Sequence, residues 1–335
     1  MTDEPAADAL EAESPSPGEL ALVVAESLSV GASPELRLDD AAMAEAGRKV
    51  LRFHLARALA QVPALLESGD PAAVHDMRVA TWRMAWRVFG DGFEREARRR
   101  YLDELRALGS RLGVVRDLDV RLGILTARTR GRTRLRDGLE PVLAAWLLER
   151  EARGHELAVI LSGGEFAAFV ADYESFAGTP GLAAVASEPN KPALVRHRMA
   201  AALWTAYQDV WAFESVVASA DLTTLHQLRI AAKWLRYTLE ICREPLDPDA
   251  SALIRPVVAL QDRLGDLHDL NGTAELARAA LEAGSMAKAQ DRAIRKLIAE
   301  LDEDVARLGK GVGRAWRPVA DPRYRRALGQ MLARL

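Results

Sequence analysis

Val74-His75-Asp76-Met77-Arg78-Val79-Ala80 returns 151 residues later as Leu225-His226-Gln227-Leu228-Arg229-Ile230-Ala231. The order continues downstream. Leu108-Gly109-Ser110-Arg111-Leu112-Gly113 matches Leu260-Gln261-Asp262-Arg263-Leu264-Gly265 at an offset of 152, and Asp117-Leu118 matches Asp269-Leu270 in the same register. Two ordered matches with a one-residue slip point to duplication of a unit of roughly 150 residues, each supplying about four helices. The expected fold is all-α: two pseudo-symmetric four-helix bundles from an internal duplication.

The rest of the chain agrees with helix. Of 335 residues, 49% are hydrophobic but only 6% aromatic, and Ala, Leu, Arg and Glu, all strong helix formers, dominate. No long run of alternating β-branched residues supports a sheet. Ser68-Gly69-Asp70-Pro71 breaks the pattern: Asp70 is placed to cap a new helix and Pro71 to sit in its first turn. Gly90-Asp91-Gly92 is a second break, and the Pro- and Gly-rich stretch 178–192 is the best domain boundary. The expected layout is a leader over 1–37, a first repeat over 38–177, a linker over 178–192, a second repeat over 193–310 and an extension over 311–335. The leader is expected to be mostly disordered, with a short helix over 19–28.

Charge is unevenly placed. Residues 1–40 hold ten acids against one base, Arg37, a balance of −9; the remaining 44 Lys+Arg and 38 Asp+Glu leave the body at +6. A mildly basic body favours anionic partners. The single Cys242 excludes an intramolecular disulfide and a Cys-rich zinc site. No basic region followed by an apolar stretch opens the chain, and no apolar run approaches the roughly 20 residues that span a bilayer. The expectation is a cytoplasmic protein with no membrane, metal or cofactor partner.

The cations of the second repeat are arranged. Positions i, i+3, i+7 and i+10 hold His226, Arg229, Lys233 and Arg236, which fall within an arc of about 80° on a helix. A row of donors on one face suits an extended anion with repeating charge, and Arg offers a forked donor to phosphate oxygens. In the first repeat His75 and Arg78 are present, Trp82 stands at the position of Lys233, and Arg83 falls off the stripe. That half is expected to bind less strongly. Arg48, Lys49, Arg52 and His54 on the first unit's opening helix, with Arg196, His197 and Arg198 on the second's, are candidates to extend the same surface.

The ordered set Val74-His75-Asp76-Met77-Arg78-Val79-Ala80-Thr81, Leu112-Gly113-Val114-Val115-Arg116-Asp117-Leu118-Asp119-Val120, Leu225-His226-Gln227-Leu228-Arg229-Ile230-Ala231-Ala232-Lys233 and Leu235-Arg236-Tyr237 resembles the CHAD family, the conserved-histidine α-helical domain. The resemblance implies a basic central surface between two bundles, binding of inorganic polyphosphate without catalysis, and association with polyphosphate granules. Two departures stand out. Thr81-Trp82-Arg83-Met84-Ala85-Trp86-Arg87 replaces a denser arginine row, and Trp234 stands where the family commonly has Arg.

Three other functions compete. Asp117-Leu118-Asp119-Val120 is similar to the nucleophile motif of a phosphohydrolase family, but that motif follows an apolar strand and the segment before it here has helical spacing. Nucleic acid would also answer a basic stripe, although the tryptophans fall at core spacing and read as packing. An acidic protein partner is the third.

Overall fold

The computed structural model describes residues 17–28, 31, 33–37, 42–83, 86–186, 190, 194–246, 250–283 and 286–334. The acidic residues 1–16 and the side chain of His197 lie outside them. The chain is all-α as expected; among the described residues the only strand-like pairing is an isolated bridge between Phe93 and Ala184.

The first half contains α1 (Pro17–Ser27), α2 (Met43–Leu59), α3 (Val62–Ser68), α4 (Pro71–Arg83), the single turn α5 (Trp86–Phe89), α6 (Arg95–Thr129), α7 (Thr133–Leu161) and α8 (Gly164–Gly178). The second contains α9 (Val195–Trp211), α10 (Leu222–Leu246), α11 (Ala250–Ala283), α12 (Lys288–Ala320) and α13 (Pro322–Leu332). The α3–α4 break forms as read. Gly69 ends α3 at φ +61°, a left-handed conformation suited to glycine, and Asp70 Oδ1 accepts from Ala72 N at 2.9 Å. At the second break, Gly92 lies so close to the start of α2 that a Cβ would approach Ala44 N to 2.7 Å.

Three cores hold the helices. One gathers α1–α4 with parts of α6, α7 and α8 around Leu51, Leu59, Met77, Leu112, Tyr173 and Phe176. The second gathers α9, α10, α11, α12 and α13 around Leu203, Tyr207, Leu235, Leu260, Val312 and Trp316. Helix α2 serves both: Leu51 and Leu55 face the first core, while Met43, Ala46 and Val50 face the second. The third core lies at the ends of the four long helices, where Leu125, Leu139, Val142 and Trp146 of α6 and α7 meet Ala274, Ala277, Ile294, Leu297 and Leu301 of α11 and α12. At 1.5 Å per residue these helices of 29–35 residues reach about 45–50 Å, long enough to leave the two bundles and join beyond them.

Three segments near the expected boundaries are packed against the cores. The leader's helix packs, with Ala21 buried in the first core and Leu28 just beyond it. The 178–192 stretch is pinned where described: Glu94 N donates to Ala183 O at 2.8 Å and Val185 N to Gly92 O at 2.9 Å. Residue 310 marks no boundary, because α12 runs unbroken through it with an apolar stripe of Leu308, Val312, Trp316 and Val319, and α13 adds Tyr324, Leu328 and Met331 to the second core. The region assigned to an extension is core material.

Candidate functional site

Helices α4 and α10 face each other across a polar cleft of about 350 Å³. Its walls carry His75, Arg78 and Arg83 from α4, Arg229, Lys233, Arg236 and Tyr237 from α10, and His54 and Arg57 from α2. The two helices touch beside the cleft, where Trp82 and Trp234 meet edge to face with ring centroids 5.9 Å apart. The position that looked like a loss in the first repeat is part of this contact. The Lys233 ammonium sits 3.3 Å from the centroid of the Trp82 ring, a cation–π geometry. Residues of the two half-stripes therefore line one cleft.

Six cations line this space against Asp76. Glu240 adds one more acid, holding Arg83 through Oε2 at 2.6 Å and Arg236 through Oε1 at 2.7 Å. Arg83 also lies over the Tyr237 ring at 5.4 Å. Its expected place off the stripe is corrected: a long side chain at the end of α4 reaches the facing helix. Arg57, Arg78, Arg229 and Lys233 have no carboxylate within 4.0 Å among the described residues.

The electrostatic effect is visible in the titrations. Burial, then Arg78 and Arg229, pull the Lys233 ammonium down to about 7. Burial, with Arg83 and Arg57 adding to it, takes His54 down to about 3. His75 is lowered by burial and then by Arg116. Burial is the first cause of all three shifts, and neighbouring arginines add to it in each.

His226 does not line the cleft. It lies one turn before Arg229, its ring 4.8 Å from that of His268 on α11. His268 is lowered by burial, then Arg229 and His226, while Asp269 is raised chiefly by burial. Asp117, on α6, acts on both His268 and Asp269. The two aspartates of the repeated Asp-Leu motif thus approach each other where α6 meets α11, with Arg229 nearby.

Other candidates lie elsewhere. Arg48 is 3% exposed, sandwiched between the Phe93 and Phe176 rings at 5.2 and 5.0 Å, and donates to the carbonyls of Phe176 and Leu182. It is a clamp between α2 and the end of α8, and its assignment to the binding surface is corrected. Lys49 donates to Glu35 O at 3.2 Å and Arg52 to Leu28 O at 2.7 Å, so both anchor the segment before α2. Arg196 is exposed on α9 and does not line the cleft. Sequence reasoning passed over Arg57 and Tyr237; Arg57 was legible as the residue three beyond His54, on the same helical face.

The phosphohydrolase reading of Asp117 and Asp119 loses its geometry. Both sit within α6, about 200° apart around the axis. Asp119 accepts from Arg150 Nε at 2.9 Å, and Arg150 also donates to Gly69 O, tying α6, α7 and the α3–α4 turn together. Among the described residues no group of three His, Cys, Asp or Glu is arranged to hold a metal ion, and no helix is long and apolar enough to cross a membrane.

The chain superposes on the crystal structure of the CHAD domain from the plant Ricinus communis with a TM-score of 0.66 and 22% identity, covering 91% of this chain and 98% of that one. It is also similar to PptA from Streptomyces chartreusis, with a TM-score of 0.56 and 18% identity over 91% of this chain and 100% of the other. No curated protein matches. The model of the CHAD domain matches residues 49–278, a span that includes both walls of the cleft, and the chain therefore belongs to the CHAD family.

Proposed function

We propose that the α4–α10 cleft binds inorganic polyphosphate and performs no chemistry on it, in the cytoplasm and at polyphosphate granules. The observation that carries this reading is the set of uncompensated cations. Arg57, Arg78, Arg229 and Lys233 share one cleft without a direct carboxylate partner. Unpaired charge in a partly desolvated space is costly until an anion enters. The cations come from three helices and line a trough, so a linear anion with charge at every unit meets several at once. A single small anion meets one or two.

The test is a salt titration. Long-chain polyphosphate should bind the full chain with affinity that falls linearly with salt on logarithmic axes, because each neutralised charge releases a counterion. Arg229→Ala should reduce the slope by about one unit. Duplex DNA and single-stranded RNA at matched phosphate concentration should compete poorly, and incubation with Mg²⁺ should release no phosphate. A parental slope in Arg229→Ala, checked for folding, overturns the reading.

A further inference from the structure

A second hollow shares Arg78 with the cleft but has a different character. Its volume is about 630 Å³, within the roughly 300–1,000 Å³ of small-molecule sites. Its walls include the indoles of Trp82, Trp86 and Trp234, with Leu102 and Leu105 from α6. Gly109 and Gly113, one turn apart on α6, keep the space open. A Cβ on Gly109 would meet nothing nearer than Thr81 Cγ2 at 3.9 Å, and one on Gly113 nothing nearer than Arg78 Nε at 3.6 Å.

The tryptophans divide into two kinds. Trp86 is buried in the first core, stacked on Tyr101 and Phe176. Trp82 and Trp234 are only half-buried, and the Trp82 indole Nε1 has no hydrogen-bond partner among the described residues. Around the hollow, Arg87, Arg98 and Arg106 are each paired with an aspartate, Asp209, Asp91 and Asp103 respectively. Arg78 has no such partner, although Asp117 also lines the hollow, and Arg78 is the residue that the hollow and the cleft share.

We propose that this hollow takes the base of a nucleoside polyphosphate, whose phosphate tail crosses Arg78 into the cleft. The tail rests on the anion-binding reading above; the base does not. Lys233 covers one face of Trp82 at 3.3 Å and Arg87 one face of Trp234 at 5.2 Å, so a base stacks on the remaining indole surface, which selects for an aromatic ring and not for one base. Inorganic polyphosphate has no apolar part to place against Trp82, Trp234, Leu102 and Leu105. A purely apolar ligand leaves Arg78 uncompensated. A ring joined to a short phosphate chain satisfies both.

The experiment compares ATP with inorganic tripolyphosphate on the full chain by calorimetry, without divalent metal. Tripolyphosphate carries at least as much charge, so charge alone favours it. With the base seated, ATP binds about tenfold more tightly. Ser110 is exposed on α6 at the hollow's edge, and Ser110→Trp fills the space without touching the cleft. That variant should lose the preference for ATP and keep the parental affinity for tripolyphosphate. Equal affinity for the two ligands in the parent, or a preference surviving in Ser110→Trp, overturns the proposal. Tripolyphosphate binding without preference for ATP overturns this inference alone; loss of all phosphate binding overturns the cleft reading and this one together.

Discussion

Lys233 gives the sharpest test of how the cleft works. Its ammonium is held at about 7 by burial and by Arg78 and Arg229, against 10.5 for a free lysine. The sign follows from which form each state prefers. The empty cleft favours the neutral amine, whereas a polyphosphate chain favours the ammonium and returns its pKa towards the ordinary value. Below pH 7 the lysine is already charged and binding gains its full contribution; as pH rises through 7, each binding event must first take a proton from solvent. At pH 8 about 0.9 of the Lys233 groups are neutral in the free protein, so binding takes up about 0.9 proton at this site, and affinity is about tenfold below its low-pH limit. Calorimetry in buffers of different ionisation enthalpy counts those protons directly. Lys233→Arg is charged at every working pH, so it should take up about 0.9 proton fewer than the parent at pH 8. Its affinity should also vary less between pH 6.5 and 8.5. The lowered His75 and His268 groups titrate in both proteins and cancel in the difference. Equal proton uptake by parent and Lys233→Arg refutes the reasoning.

Further outcomes follow from the neighbours. Glu240→Gln frees Arg83 and Arg236 from their shared carboxylate, and polyphosphate should bind about fivefold more tightly at low salt, the pair being partly screened; weaker binding by the folded variant contradicts this. Arg48→Met should lower unfolding free energy by about 1–3 kcal/mol, because the buried Phe176 carbonyl and the part-buried Leu182 carbonyl lose their donor. The salt slope of binding should stay parental, and a slope reduced by one would return Arg48 to the binding surface. Gly138→Ala forces a Cβ to 2.5 Å from that of Ala293. It should cost about 1–3 kcal/mol in urea unfolding, with part of the loss recovered in the double variant with Ala293→Gly; strictly additive losses would mean that the two do not touch.

Sequence patterns disclosed what depends on one helix and its ends. The Asp70 cap, the Gly69 turn and the common face of Arg229, Lys233 and Arg236 all follow from local geometry. Relations between helices were not legible in that way. Angular arithmetic locates Arg83 relative to the axis of α4, but nothing in it says that Tyr237 and Glu240 of α10 stand within its reach. Arg48 and Arg229 look alike as letters; one lies between two phenylalanine rings and the other in a trough of cations. Trp82 read as a defect in a repeated stripe because its partner, Lys233, lies 151 residues away. The continuation of α12 through residue 310 was hidden for the same reason, since its apolar stripe is answered by helices distant in the chain.

The core that joins the four long helices has a mechanical consequence. One wall of the cleft belongs to the first bundle and the other to the second, and their separation is fixed partly by a joint that contains no cation. Along α6, Leu125 in that joint lies twelve residues beyond Gly113, which sits beside Arg78, a lever of about 18 Å. A tilt of about 5° at the joint moves this part of α6, on which the α4 wall packs, by about 1.6 Å over that length, about half the length of a hydrogen bond. The width of the cleft is therefore set in part by the packing of Gly138 against Ala293 and of Trp146 in the joint, at positions that carry no charge.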